Sequence, residues 1–247
     1  MSLCRLPECF MAYQPVVDFD RGGILFFEAL FRPGNDATPQ DICIQAEQHG
    51  WIIEVDLYAI SSSQSVLQSH RDISLAVNIS CASIATFADA ILRQLDQHLD
   101  LCSRLYLEIT ETRQIDLQAL QAFAECCRAR RIGIVQDDFG IGYSTAARAR
   151  ALRPSILKVV APLATEQLPA WGRTVLQSAA SLAKELKATL LVERIETGYA
   201  EVIAVSHGAS AGQGYAYGKP ARTVEWHAQP AAEMMRSPIA QLAGSAV

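Results

Sequence analysis

The chain has 247 residues, half of them apolar, with 21 Lys and Arg against 26 Asp and Glu, a formal charge of −5. That composition excludes disorder and collagen-like repeats, and the length suits one or two domains, single barrels included. A mildly acidic chain with no Lys/Arg cluster is a poor partner for DNA, no apolar run approaches the ~18 residues of a membrane span, and seven Cys without a C-x-x-C pair support neither a disulfide framework nor a zinc site.

Residues 1–8 carry no apolar core, so no signal peptide is read and the cytoplasm is the expected location. Apolar runs of strand length then recur at 11–17, 24–31, 74–79, 105–109, 132–137, 156–160, 189–195 and 214–217. Helix-period segments separate most of them, at 41–50 with 55–68, 86–98, 117–130 and 175–186. In the last, Val175, Leu176, Ala179, Ala180, Leu182, Ala183 and Leu186 make one apolar stripe, as in a helix laid on a sheet. Continuous apolar strands point to burial on both faces, as parallel strands require. Eight strands with helical crossovers in about 250 residues predict an α/β fold, a (β/α)8 barrel.

The first junction differs. Only residues 18–23 join the first two strands, which permits an antiparallel hairpin but not a parallel crossover. The first strand should therefore run against the other seven. The barrel is placed at 1–228, followed by a tail at 229–247 that reads either as a docked helix or as a frayed end.

Polar residues stand at or near the strand ends: Glu28, Asn78, Glu108, Asp137 with Asp138, Lys158 and Glu193, with Gln213 read as opening the last run. Strand ends of a barrel converge on one face, where active sites form. Carboxylates gathered there repel one another unless cations neutralise them, and oxygen ligands favour Mg²⁺, Mn²⁺ or Ca²⁺ over zinc. Taken singly, each has a plain structural reading: Asp137-Asp138 before Gly140 is ordinary turn chemistry, and Lys158 is able to snorkel to solvent. The five His lie outside these positions and read as surface or helix-end residues.

Together, Glu28-Ala29-Leu30 with Arg32, Asn78, Leu107-Glu108-Ile109-Thr110-Glu111, Asp137-Asp138-Phe139-Gly140-Ile141-Gly142-Tyr143-Ser144, Lys158, Glu193 and Gln213-Gly214-Tyr215 resemble, in order, the EAL-domain cyclic di-GMP phosphodiesterases of bacteria. The resemblance spans about residues 10–220. It implies a barrel with an antiparallel first strand and a two-ion Mg²⁺ or Mn²⁺ site. Glu28, Asn78, Glu108 and Asp137 match the ligands of one ion, and Asp137 would bridge to a second held with Asp138 and Glu193. Lys158 matches the lysine that contacts the attacking water. Arg32 and Gln213, with Leu30, match substrate-holding positions, and Glu111 and Glu196 support the ligands from behind. The implied reaction opens one phosphodiester of cyclic di-GMP to give linear 5′-pGpG. The alternative is a weak or inactive receptor of the same type, binding the nucleotide or a partner protein. A homodimer formed near residues 146–152 and a protein regulator are further expectations.

Two departures stand out. Where the family carries Asp, two residues after the lysine, this chain has Val160, which alternation turns toward the site; either the missing carboxylate slows turnover or the surroundings have adapted to valine. Where the family usually has Gly, after the glutamate, it has Arg194, which alternation turns away from Glu193 toward the helix layer or rim.

Overall fold

An Asp carboxylate makes the first turn. The computed structural model describes residues 8–34, 36–110, 113–161 and 168–224, and in it β1 (Phe10–Asp18) runs antiparallel to β2 (Gly23–Arg32). Asp18 accepts from the amides of Asp20 and Arg21 at 2.9 and 3.0 Å, and Gly22 takes a φ of 66°, so the chain reverses tightly.

Each later strand follows a crossover. α1 (Pro39–Gln48) and α2 (Ile52–Ser69) lead to β3 (Leu75–Ile79). α3 (Cys81–Asp96) and a short 3-10 helix lead to β4 (Leu105–Ile109), and α4 (Leu117–Ala129) leads to β5 (Gly133–Gln136). α5 (Ala146–Leu152), α6 (Ala170–Leu186) and α7 (Gly198–Ser206) lead to β6 (Ile156–Val160), β7 (Thr189–Glu193) and β8 (Ala211–Gln213). β2 to β8 pair in parallel, and β8 closes on β1 antiparallel. This is the expected eight-stranded α/β barrel with a reversed first strand.

The last strand is a correction. Residues 214–217 turn away, and the strand is Ala211-Gly212-Gln213, which Gln213 closes rather than opens. Those three residues form no apolar run. Their strand state comes from pairing on both sides, with Gly212 opposite Val17 and Val192. α3 also begins earlier than residue 86: Ser80 caps it by accepting from the Ala82 amide at 3.1 Å, and Phe87 interrupts the helical backbone where the periodic pattern resumes.

The core has two layers. Val16, Phe26, Ala76, Val135, Ile156, Leu191 and Ala211 fill the barrel interior. Outside the sheet, α6 lays Leu176, Ala179, Leu182 and Ala183 on a cluster with Leu157, Val159, Leu190 and Val192. Each fully buried leucine there contributes roughly 1.5–3 kcal/mol. No helix among the described residues is long and apolar enough to cross a membrane. The tail at 229–247 lies outside the described residues.

Candidate functional site

Two-residue alternation positions the site. Beyond the interior layer, Glu28 follows Phe26, Asn78 follows Ala76, Asp137 follows Val135, Lys158 follows Ile156, Glu193 follows Leu191 and Gln213 follows Ala211. Glu108 follows Tyr106, which packs against the same layer. β1 runs the other way, so its polar residue comes two positions before Val16, at Gln14. Sequence reading missed Gln14, although a reversed strand reverses the order in which the layer and the site are met.

Lys158 is 2 % exposed and sits among four carboxylates. Its Nζ pairs closely with Glu108, lies 2.6 Å from Glu193, and is 3.4 Å from both Glu28 and Asp137. Burial alone would lower its pKa, but the charges of Asp137, Glu108, Glu193 and Glu28 outweigh that and hold it well above the ordinary lysine value. Burial and repulsion from Glu28 push Glu108 well up, while burial, opposed by Lys158 and reinforced by Asp137, pushes Glu193 to about 7. Glu28 goes the other way. Burial would raise it, yet Lys158, Gln213 and Asn78 together hold it below the usual carboxylate value. Asn78 Nδ2 donates to Glu28 at 2.9 Å, and Gln213 Nε2 donates to Glu28 at 2.6 Å and to Gln14 at 3.2 Å.

One ammonium against four carboxylates leaves negative charge in excess. Ligand oxygens of Glu108, Asp137 and Glu193 all lie within 4.8 Å of one another, and Glu108 Oε2 is buried without a hydrogen-bond partner. An all-oxygen donor set with an unsatisfied buried carboxylate oxygen fits a hard divalent cation such as Mg²⁺ or Mn²⁺.

Above this cluster opens a cavity of about 440 Å³ lined by Gln14, Glu28, Asp137, Lys158, Glu193, Arg194, Glu196, Gln213, Gly214 and Tyr215. Asn78 and Glu108 do not line it but contact Glu28 and Lys158, which do, and Asp138 follows β5 with a left-handed φ of 47°. Arg32 and Leu30 do not line it; both are half-buried, and Arg32 Nη1 donates to the Phe31 carbonyl at 2.8 Å. Glu111 lies outside the described residues. Of the two places open to Arg194, helix layer or rim, the structure gives the rim: its φ of 59° ends the strand alternation at Glu193, and the exposed side chain joins the cavity wall. Tyr215 also lines the cavity, 58 % exposed, with Lys219 Nζ 5.2 Å from its ring centre.

Comparison with known proteins agrees with this geometry. The EAL domain model matches residues 2–220. The bifunctional diguanylate cyclase/cyclic di-GMP phosphodiesterase MucR of Pseudomonas aeruginosa is 28% identical over 226 residues, covering 86% of this chain and 33% of MucR. The cyclic di-GMP phosphodiesterase RocR of the same organism is 27% identical over 225 residues, 84% of this chain and 56% of RocR. The chain thus spans about a third to a half of these relatives' length. The solved MucR phosphodiesterase in complex with c-di-GMP superposes with a TM-score of 0.78 at 27% identity, covering 87% of this chain and 98% of that one. The Klebsiella pneumoniae BlrP1 complex with manganese and cyclic di-GMP, at 23% identity and a TM-score of 0.74, shares the fold over 87% of this chain and 56% of that one. A family match running almost from end to end, on a barrel with its acids gathered at one mouth, makes this chain a member of the EAL-domain, cyclic di-GMP phosphodiesterase family.

Proposed function

We propose that this protein hydrolyses one 3′–5′ phosphodiester of cyclic di-GMP to linear 5′-pGpG, using Mg²⁺ or Mn²⁺. The observation that carries the reading is the convergence of Glu28, Glu108, Asp137 and Glu193 on one buried lysine at the strand ends. Glu28, Asn78, Glu108, Asp137, Asp138 and Glu193 are the residues that would hold two ions. Bound there, the cations would polarise the phosphoryl oxygens and lower the pKa of a neighbouring water.

The chain's own groups do the rest. Lys158 keeps its proton through the neutral range and offers an N–H to the attacking oxygen. Asn78 and Gln213 fix both oxygens of Glu28. Gln14 accepts from Gln213 and donates to the Gly218 carbonyl at 3.1 Å, which sets the orientation of both amides. Glu196 lines the same cavity.

The test is incubation of the purified protein with cyclic di-GMP and Mg²⁺ or Mn²⁺, with chromatography for pGpG. Product is expected with either ion. It should be lost in Asp137→Asn and absent with Ca²⁺ alone, which prefers more ligands at longer distances. Val160 favours the second reading, a receptor without turnover; tight nucleotide binding with no pGpG would establish it.

A further inference from the structure

We propose that Arg194 is a substrate-binding residue whose guanidinium holds a phosphate of the dinucleotide from the lip of the cavity; this rests on the function proposed above. Arg194 follows the last residue of β7 and has a left-handed φ of 59°, a conformation that is uncommon outside glycine. Its backbone is locked from one side. The Ile195 amide donates to the Gln213 carbonyl at 3.0 Å, and the Ile195 carbonyl accepts from the Ala216 amide at 3.1 Å. Gly214 lies so close against the Ile195 backbone that no Cβ fits there. Glycine at 194 would take this turn without strain, so an arginine held there needs a compensating use.

The cavity supplies one. Arg194 is exposed on the same wall as Glu28, Asp137, Glu193 and Tyr215, and makes no ion pair with any described residue. The other lining cation, Lys158, is already paired with four carboxylates. A dianionic dinucleotide approaching a wall of acids therefore meets Arg194 as the cation with open donors. The planar guanidinium matches a phosphate with two parallel hydrogen bonds, which a lysine does not reproduce.

The test uses the full chain and its Arg194→Ala, Arg194→Lys and Arg194→Gly variants. Binding of cyclic di-GMP is measured by calorimetry in Ca²⁺, and KM in Mg²⁺. Arg194→Ala should weaken binding by about tenfold, with KM rising alongside, as expected for one lost charged hydrogen bond. The loss should shrink in high salt, and Arg194→Lys should recover only part of it. Arg194→Gly should bind as poorly as alanine while its melting temperature rises by about 2–4 °C, because the backbone strain is gone. Unchanged or tighter binding in the alanine and glycine variants overturns the proposal and leaves the proposed hydrolysis standing. Wild-type binding without pGpG removes the hydrolysis and leaves the Arg194 comparison readable. No wild-type binding removes both.

Discussion

Lys158 is a built-in counter-ion. Replacing it with methionine strands four carboxylates, of which Glu28 and Glu108 are buried, and breaking a buried pair from one side costs about 3–5 kcal/mol. In chelator, Lys158→Met should melt about 6–20 °C below wild type, and millimolar Mg²⁺ or Mn²⁺ should restore part of that loss. Equal melting temperatures in chelator would refute the counter-ion role. The acids around Lys158 were legible in the sequence because carboxylates stand out at the ends of apolar strands. Gln14 was not, since its strand is reversed, and alternation left Arg194 between helix layer and rim because it fails at a left-handed residue. The four-fold pairing of Lys158 also bears on Val160, which keeps the parity of Lys158 and pairs across with Glu193: the ammonium has carboxylate partners without an acid at position 160.

At the scale of elements, Ser80 joins three helices. It caps α3, its hydroxyl donates to Glu47 of α1 at 2.8 Å, and its amide donates to Asp56 of α2 at 3.2 Å. Burial pushes the Asp56 carboxyl up from 3.8 to about 7, with Glu47 adding repulsion and the Ser80 amide opposing. The folded chain therefore keeps a proton that the unfolded chain has released. This carboxyl adds stability that is full below about pH 4 and lost as pH climbs through 7. Relative to Asp56→Asn, wild type should lose stability between about pH 4 and 7, as read from denaturant midpoints; parallel curves for the two proteins would sink the assignment. Periodicity revealed α6 and most strands because their apolar stripes are long. It missed the start of α3, which depends on a cap, and β8, whose residues are strand only through their neighbours.

At the scale of the molecule, the family resemblance leads us to expect a homodimer near the Asp137-Asp138 turn. Not every residue of α5 offers that surface: Ala149 and Leu152 are fully buried in the chain's own core, whereas Ile141 and Tyr143 are about half exposed. Light scattering at high concentration should give a dimer mass that Tyr143→Glu reduces to a monomer. A monomeric wild type, with and without cyclic di-GMP, would overturn this. The barrel itself was legible from strand count, crossover length and the one short turn at residues 18–23.

That short turn decides when the candidate site is complete. With β1 reversed, the barrel closes by joining its first strand to its last, a seam of three residue pairs between Val16–Asp18 and Ala211–Gln213. During synthesis β1 leaves the ribosome before the other strands and keeps one edge unpaired until almost the whole barrel sequence has followed. Gln14 and Gln213 meet across that seam, at Glu28. Zipping the seam and finishing the candidate site are thus one event, and a chain cut before residue 211 would have a row of acids but no assembled site.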